Sequence, residues 1–366
     1  MSVNYYSELF ARNMDCHLNE NIKNTFRVFP KQGRLAYHRY DANENPEGLP
    51  VDFVNSVLSE ITPEYLALYP EPDLFLRKYA EYLGVKFENV YATNGSDHGI
   101  RVLLETFGEP GKEVVTVMPS FEIYWVCCSL LGMRHVAVPY NEDLTIDTQA
   151  ILDAINENTR VIALLNPNSP IGNLYTDDDV RQVVNKAKQV GSLVIIDEAY
   201  HYFYDKSFLD IALCNDNVLL LRTFSKLMSL AGCRLGTVIG MPETINFVKN
   251  SRLAYEVNGI ALLFGERILE HPDLINDLIR QEKEGKEFFL EVLRANGYWC
   301  MDGHGNYVLV KPKLDAHEIA KRLETEKKTL VHPYGNELMK DMIRVTVGSK
   351  ESMAFFMEQL LEVDSL

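Results

Sequence analysis

Short apolar segments alternate with amphipathic ones over the middle of the chain. The strand-like runs, each followed by a turn, are KEVVTVMP (112–119), MRHVAVPY (133–140), TRVIALLN (159–166), GSLVIIDEAY (191–200) and NVLLLRTFSK (217–226). The segments LDAIN (152–156) and DDDVRQVVNKAKQVG (177–191) between them have helical spacing. Strands that alternate with helices predict an α/β fold with a large, doubly wound, mainly parallel sheet.

The carboxy-terminal part of the sequence has a different pattern. A long helix is predicted over 266–297, broken near Pro272, because proline interrupts helical hydrogen bonding. The segments that follow alternate between strand-like and helical, namely NYVLVKP (306–312), AHEIAKRLE (316–324), MIRVTVGS (342–349) and ESMAFFMEQLLEV (351–363). This order predicts a second, smaller α+β domain.

The two patterns together predict three parts of the chain. We expect an N-terminal arm with part of the small domain over 1–60, a large domain over 61–285 and a C-terminal small domain over 286–366. The first sixty residues have no strong period of their own. We therefore expect them to pack partly on the small domain and partly on another subunit.

The amino-acid composition indicates which binding partners and which cellular compartment to expect. The chain has 366 residues, 46% of them hydrophobic, and a formal net charge of −16 without a basic stripe, which argues against nucleic acid and anionic membranes as partners. The N-terminus lacks the pattern of a secretory signal, and no apolar stretch approaches a membrane span. Six scattered cysteines without CxxC spacing predict reduced thiols, a cytoplasmic protein and no metal site.

A lysine follows the last of the predicted parallel strands. Lys226 lies beside the hydroxyls of Thr223 and Ser225, and Arg234 follows in the glycine-containing segment SLAGCRLG. Because a nucleophilic lysine near anion-binding groups suits a phosphorylated aldehyde, this pattern predicts a cofactor site. Taken alone, a lysine at a strand end is better explained by simple solvation, and its neighbours favour the cofactor site.

Polar residues also end the two preceding strands. Asp197 follows four apolar strand residues, where an unpaired carboxylate would be costly to bury, and a protonated pyridine nitrogen is a fitting partner. A helix cap is the alternative for this aspartate. Asn168 lies in the rigid turn NPNSPIG, from which its amide can donate to a phenolate oxygen.

The segment ATNGSDHGIRVLLETF predicts a strand end, a glycine turn and a helix start. Backbone N–H groups at such a start bind phosphate, and Gly95, Ser96 and Asp97 are the candidates. A plain N-cap is the better-supported role for the Asp97 side chain. Further on, Phe121 and Tyr124 are candidate rings to stack on a flat cofactor, although core packing explains either ring alone.

In their order along the chain these segments resemble the fold-type I pyridoxal-phosphate (PLP) aminotransferases of class I and II, and specifically the histidinol-phosphate aminotransferase group. The motifs that carry the resemblance are DANENP (41–46), YPEP (69–72), NGSDHG (94–99), NPNSPIG (166–172), DEAY (197–200), TFSKLMSLAGCRLG (223–236) and MIRVTVG (342–348). The ordered set is specific for the cofactor and much less specific for the substrate.

The resemblance implies roles around the cofactor. Lys226 would form the Schiff base and carry the substrate proton, while Asp197 would pair with the pyridinium nitrogen. Asn168 and Tyr200 would hold the ring oxygen, and Phe121 would stack on the ring. The residues around the cofactor phosphate, through backbone or side chain, would be Gly95, Ser96, Asp97, Thr223, Ser225 and Arg234.

The resemblance also implies a homodimer and a substrate site. Tyr69 would reach the cofactor phosphate of the neighbouring subunit. Arg344 would bind a substrate anion, because its planar fork suits a carboxylate or phosphate. Asn43 and Asn306 would line the substrate side.

Three residues depart from the family pattern. Phe121 stands where tyrosine is usual, and Ile171 replaces a threonine. His332 stands where the family commonly has an arginine that helps bind the substrate phosphate, and it would be a weaker, pH-dependent substitute. The change at His332 leaves the prediction of the cofactor intact but weakens the prediction that the substrate is histidinol phosphate.

The leading hypothesis is therefore an aminotransferase that moves an amino group between an amino acid and an oxo compound, with a phosphorylated or phosphonate substrate such as histidinol phosphate as one candidate. The main alternative is a PLP decarboxylase, lyase or cyclase on the same scaffold. A ligand sensor without catalysis conflicts with the intact Lys226, Asp197 and Arg234. A nicotinamide enzyme ranks far lower because no GxGxxG follows an early strand.

Overall fold

The computed structural model describes residues 19–23, 25 and 31–365 of the chain. Its strands are β1 His38–Arg39, β2 Val90–Thr93, β3 Glu113–Met118, β4 Arg134–Pro139, β5 Thr159–Leu165, β6 Leu193–Asp197, β7 Val218–Thr223, β8 Gly236–Gly240, β9 Trp299–Met301, β10 Tyr307–Lys311, β11 Thr329–Leu330, β12 His332–Pro333 and β13 Ile343–Thr346. Its α-helices are α1 Glu20–Lys23, α2 Val51–Leu58, α3 Pro63–Ala67, α4 Asp73–Leu83, α5 Gly95–Phe107, α6 Ile123–Leu131, α7 Thr148–Ala154, α8 Asp177–Val190, α9 Leu209–Cys214, α10 Pro242–Asn250, α11 Gly259–Leu269, α12 Pro272–Ala295, α13 Ala316–Lys327 and α14 Lys350–Val363. Short 3-10 turns lie at Arg34–Ala36, Phe87–Asn89, His201–Phe203 and Ala231–Cys233.

A seven-stranded sheet forms the centre of the molecule, in the order β2-β8-β7-β6-β5-β3-β4. The five strands β3 to β7 run parallel, and β8 lies antiparallel between β7 and β2. The predicted α/β class and mainly parallel sheet are thus confirmed. All five strand-like runs of the sequence form strands of this sheet.

Both faces of the sheet are buried, because successive residues of a strand point to opposite faces. In β6, Val194 and Ile196 belong to one hydrophobic cluster while Leu193 and Ile195 belong to another. Helices must therefore cover both faces, which explains why this strand is apolar without alternation. The carboxyl ends of the parallel strands remain accessible only at one edge.

A second, antiparallel sheet has the order β12-β13-β10-β9. Its hydrophobic cluster joins Tyr40 to residues between Phe289 and Val363, and β1 pairs in parallel with β11. The segment around residues 38–40 thus packs with the carboxy-terminal part of the chain. The predicted domain bounds stay a prediction, and the bound at residue 285 falls inside the continuous helix α12.

Two expectations concern other parts of the chain. The long helix predicted over 266–297 is interrupted at the expected proline, since α11 ends at Leu269 and α12 begins at Pro272. Part of the expected N-terminal arm, residues 1–18, 24 and 26–30, lies outside the described residues. Over the part of the chain that the structure describes, no helix has the length and apolar character needed to cross a membrane.

Candidate active site

The polar ends of neighbouring strands meet at the carboxyl edge of the central sheet. Asp197 at the end of β6 is in register with Leu165 of β5 and Leu221 of β7. The backbone N–H of Asn166, directly after β5, donates to the Asp197 carbonyl at 2.8 Å. The polar segments that follow β5, β6 and β7 are therefore side by side, as the sequence predicted from the parallel arrangement.

Asp197 is a buried carboxylate with two donors. One oxygen accepts the Tyr124 hydroxyl at 3.1 Å, and the other accepts the backbone N–H of Ala199 at 3.1 Å. Burial raises the pKa of the Asp197 carboxyl to about 6, although both hydrogen bonds favour its ionised form. The contact with Ala199 resembles a local cap, yet no α-helix begins at this residue.

Lys226 is half-buried, and its amine donates to the Ala42 carbonyl at 3.0 Å. The amine also lies 5.7 Å from the centre of the Tyr200 ring. Burial would raise the pKa of the Tyr200 phenol, but the charges of Lys226 and Arg344 outweigh it and lower that pKa below its usual value. The lysine is thus enclosed by protein and is not a freely solvated side chain.

A compact cradle lies where β2, β8 and the start of α5 meet. Thr223 of β7 and Thr93 of β2 are both in register with Gly236 of β8. A Cβ on Gly236 would lie 2.6 Å from the Ser96 backbone nitrogen, and one on Gly95 would lie 2.5 Å from the Arg234 guanidinium. Gly236 is therefore required for the close approach of two backbone segments, and Gly95 for its backbone φ of 79°.

The Asp97 side chain was predicted to cap the start of α5, but it forms an ion pair with Arg234 instead. The N-cap of α5 is Asn94, and the Asp97 carboxylate pairs instead with Arg234 at 3.1 Å. Plain capping is therefore wrong for this side chain. The Arg234 guanidinium also lies 3.4 Å from the Ser225 hydroxyl, so it connects the start of α5 to the segment that carries Lys226.

Asn168 is fully buried, and its side chain is held by neighbouring segments. Its amide nitrogen donates to the Pro119 carbonyl at 3.1 Å and to the Tyr140 hydroxyl at 2.5 Å, while its oxygen accepts the Ser120 hydroxyl at 2.8 Å. These contacts tie the turn after β5 to the turn after β3, on which Phe121 is partly exposed. Donation from Asn168 to a cofactor oxygen stays a prediction, because both amide hydrogens already have acceptors.

Arg344 of β13 reaches the large sheet from the small one. Its guanidinium donates to the Asp41 carbonyl at 2.7 Å and to the Ser169 hydroxyl at 3.3 Å. Its Nε is buried without a partner, and among the described residues no carboxylate lies within ion-pair distance. A structural ion pair thus does not explain this half-buried arginine and its buried Nε.

Asn43 and Asn306 are linked to Tyr200 by hydrogen bonds. The Asn43 amide donates to the Tyr200 hydroxyl at 2.8 Å, and the Asn306 amide donates to the Asn43 carbonyl at 3.1 Å. The Asn306 side-chain oxygen is buried and has no hydrogen-bond partner within the described part of the chain. Asn43 also has φ of 57°, a conformation that a non-glycine residue adopts at a cost.

His332 lies opposite Arg344 in the small sheet, since the two residues are in register between β12 and β13. Its ring contacts that of Tyr334, whose buried hydroxyl has no partner among the described residues. The surrounding protein atoms and then the Arg344 charge lower the pKa of His332 below its usual value. His332 is nevertheless an exposed residue of β12, and its role as a pH-dependent group that binds a substrate anion stays a prediction.

Tyr69 lies on the surface and forms no hydrogen bond with another residue that the structure describes. It is 69% exposed and stacks on Tyr255 with ring centres 4.2 Å apart. Leu66, Leu68 and Tyr255 near it are also exposed. Contact of Tyr69 with a neighbouring subunit stays a prediction.

Several contributors to the site were not predicted from the sequence. Tyr124 was a candidate stacking ring, but it is buried and donates to Asp197. Ser169 and the carbonyls of Asp41 and Ala42 hold Arg344 and Lys226. Backbone carbonyls carry no sequence signal, and the distance of Tyr124 from Asp197 along the chain conceals their contact.

Comparison with known proteins defines the class of protein. A family model described as aminotransferase class I and II matches residues 42–360. The chain therefore belongs to the aminotransferase class I and II family. It is a fold-type I aminotransferase, and PLP is its cofactor.

Within that family the chain is similar to the histidinol-phosphate aminotransferases. The one from Syntrophus aciditrophicus is 34% identical over 334 residues, which cover 88% of this chain and 91% of that protein. The one from Clostridium novyi is 30% identical over 330 residues, covering 89% and 91%.

Solved structures share the fold at lower identity. Histidinol-phosphate aminotransferase from Sinorhizobium meliloti in complex with pyridoxal-5'-phosphate has a TM-score of 0.86 and 21% identity, covering 96% of this chain and 98% of that chain. Aspartate aminotransferase from Thermus thermophilus with maleate has a TM-score of 0.77 and 18% identity, covering 95% and 100%. The arrangement of the two sheets is therefore that of fold-type I aminotransferases.

The residues at the carboxyl edge fit such a cofactor. Gly95 and Gly236 leave room that a Cβ would fill, next to the donors of Ser96, Ser225 and Arg234. A buried carboxylate is available for a pyridinium, and a half-buried amine for an aldehyde. The Asp97 carboxylate is an unfavourable neighbour for a phosphate, but Arg234 pairs with it.

Proposed function

We propose that this chain is a PLP-dependent aminotransferase that moves an amino group between an amino acid and an oxo compound, with Lys226 as its Schiff-base lysine. The observation that carries the proposal is the convergence of an amine, a buried carboxylate and an anion cradle at the ends of β6, β7 and β2. Family membership supports the amino transfer over decarboxylase, lyase or cyclase chemistry.

The chain's own residues would divide the work as follows. When bound, PLP supplies an aldehyde and a charged ring that withdraws electrons from the substrate carbon. Asp197 would hold the ring nitrogen, and Ser96, Ser225 and Arg234 would hold the phosphate. Lys226 would take and return the proton at the substrate carbon, since its half-buried amine lies at this edge beside the Tyr200 ring.

The positive charges above this edge indicate an anionic substrate. The charges of Lys226 and Arg344 both lower the pKa of the Tyr200 phenol. The Arg344 Nε has no partner among the described residues, so the guanidinium can still donate to a carboxylate or phosphate. The names of the similar proteins support a phosphorylated amine such as histidinol phosphate as a candidate. Asn43 and Asn306 would line the same space, with the orphan oxygen of Asn306 available as an acceptor.

A homodimer would complete the enzyme, which we place in the cytoplasm. The exposed apolar patch of Leu66, Leu68, Tyr69 and Tyr255 would be covered by a second copy of the chain. Tyr69 would then donate to the cofactor phosphate of that copy. Sedimentation equilibrium measures the dimer, and Tyr69→Phe should weaken PLP binding if the hydroxyl is used across the interface.

A half-reaction screen tests the proposed activity. The PLP form is mixed separately with histidinol phosphate and with phosphonate, aromatic, acidic and basic amino acids, and the oxo product and pyridoxamine phosphate are quantified. Transamination yields both products in equal amounts, whereas decarboxylation releases carbon dioxide without the pyridoxamine form. Lys226→Ala is the control that should remove turnover but preserve the fold. Oxo product in the wild-type amount from Lys226→Ala would contradict the assignment.

A further inference from the structure

Among the described residues the Asp197 carboxylate has one side-chain donor, and it comes from a different element of the chain. Tyr124 lies in the first turn of α6, and its hydroxyl reaches the carboxylate at 3.1 Å. The other donor is the backbone N–H of Ala199, which no side-chain substitution removes. The state of Asp197 therefore depends on one replaceable hydroxyl.

The surroundings of Tyr124 favour hydrogen-bond donation by its hydroxyl and not stacking of its ring on a cofactor. It is 1% exposed and packs in the hydrophobic cluster behind the sheet with Cys127 and Cys128. Burial and then the Asp197 charge raise the pKa of the Tyr124 phenol well above its usual value, so the hydroxyl keeps its proton at every working pH. A buried phenol that cannot ionise can only donate to a carboxylate.

The other charged groups around Asp197 act in the opposite direction. The carboxylates of Asp97 on α5 and Glu198 on the following residue both raise the pKa of Asp197, in addition to the effect of burial. Arg234 pairs with Asp97, and Arg222 pairs with Glu198 at 2.9 Å. Each of these two arginines therefore forms its ion pair with a carboxylate other than Asp197. The Tyr124 hydroxyl thus opposes the surrounding negative charge.

We propose that Tyr124 is a positioning residue that holds Asp197 as an oriented carboxylate, so that the proton of the ion pair stays on the cofactor nitrogen. The inference rests on the proposed function, since it concerns the partner of the ring nitrogen. Without the hydroxyl, Asp197 becomes more basic and competes for that proton. The ring would then be a weaker electron acceptor, while substrate contacts remain intact.

Tyr124→Phe tests this inference, and Tyr175→Phe is its matched control. Tyr175 is also a buried tyrosine, 2% exposed, but its hydroxyl has no partner among the described residues. A hydrogen bond to a charged group corresponds to about a tenfold effect or more. We therefore expect kcat of Tyr124→Phe to fall roughly tenfold or more with KM within about threefold, and kcat of Tyr175→Phe to stay near wild type.

Two measurements separate this role from a structural one. In enzyme loaded with cofactor labelled with 15N in the ring, the nitrogen resonance should move towards the unprotonated form in Tyr124→Phe and not in Tyr175→Phe. In the Asp197→Asn background, Tyr124→Phe should have no further effect on kcat, because it acts through the missing carboxylate.

The cofactor-free protein supplies a test that is independent of catalysis. Removing the donor raises the pKa of Asp197, and a raised folded-state pKa means that stability is lost as pH rises. The difference in melting temperature between Tyr124→Phe and wild type should therefore become more negative as the pH rises from 4 to 8. The difference between Tyr175→Phe and wild type should not change over this range. A flat profile together with unchanged kcat and nitrogen resonance would overturn the inference. A wild type that does not bind PLP would instead refute the proposed function.

Discussion

Asp197→Asn should separate stability from activity. The carboxyl is buried, and burial raises its pKa from 3.8 to about 6. Asparagine keeps an oxygen for the Ala199 N–H, and its amide can face the Tyr124 hydroxyl, but it carries no charge. We expect the variant to lose activity by several orders of magnitude and yet to be more stable than wild type without the cofactor.

The magnitude follows from the shift in pKa. A folded-state pKa above the unfolded value means that stability is complete below about pH 4 and is lost as pH rises through about 6. The loss at pH 7 is about 3 kcal/mol, from a shift of about two units at about 1.4 kcal/mol each. For a chain of 366 residues this corresponds to about 4 °C in melting temperature.

The assay is thermal melting of cofactor-free wild type and Asp197→Asn from pH 4 to 8. The variant should melt about 4 °C higher at pH 7, and the difference should vanish near pH 4. Asp341→Asn, at an exposed position, should give a constant difference. If Asp197→Asn melts lower than wild type at pH 7, the burial argument is wrong. A turnover rate within about tenfold of wild type, about 1.4 kcal/mol, would mean that Asp197 serves only its local hydrogen bond to the Ala199 N–H.

Three further predictions concern other charged groups. Arg344→Lys keeps the charge but loses the fork, so kcat/KM should fall about tenfold or more at an unchanged melting temperature; lowered stability with normal kinetics would mean a structural role. His332→Arg adds a cation beside Arg344, so kcat/KM for a phosphorylated substrate should rise about tenfold relative to a carboxylate substrate; equal changes for both would remove residue 332 from the anion site. Burial and then the Glu47 charge raise the pKa of Glu282 well above its usual value, and neither of its oxygens has a partner among the described residues. Wild-type stability should therefore decline with rising pH relative to Glu282→Gln, whereas the exposed Glu284→Gln should show a constant difference in melting temperature.

The sequence by itself determined the central sheet and the edge at which the site lies. Apolar runs separated by helical spacing define parallel strands, and parallel strands place their carboxyl ends together. Asn168, Asp197 and Lys226 follow three such strands and were therefore predicted to be neighbours. The short strand β8 was not predicted, because its glycines at both ends of GTVIG weaken the strand signal.

Only the tertiary structure decided which groups contact those residues. Tyr124 reaches Asp197 from a helix 73 positions earlier, and Arg344 reaches from the small sheet to the Ser169 hydroxyl after β5. The same applies to the pKa of Asp197, because burial and surrounding charge depend on the packing of several elements. Strand pattern is a local property with a fixed period along the chain. Hydrogen-bond partners and desolvation depend instead on distances in space, which the order of residues does not specify.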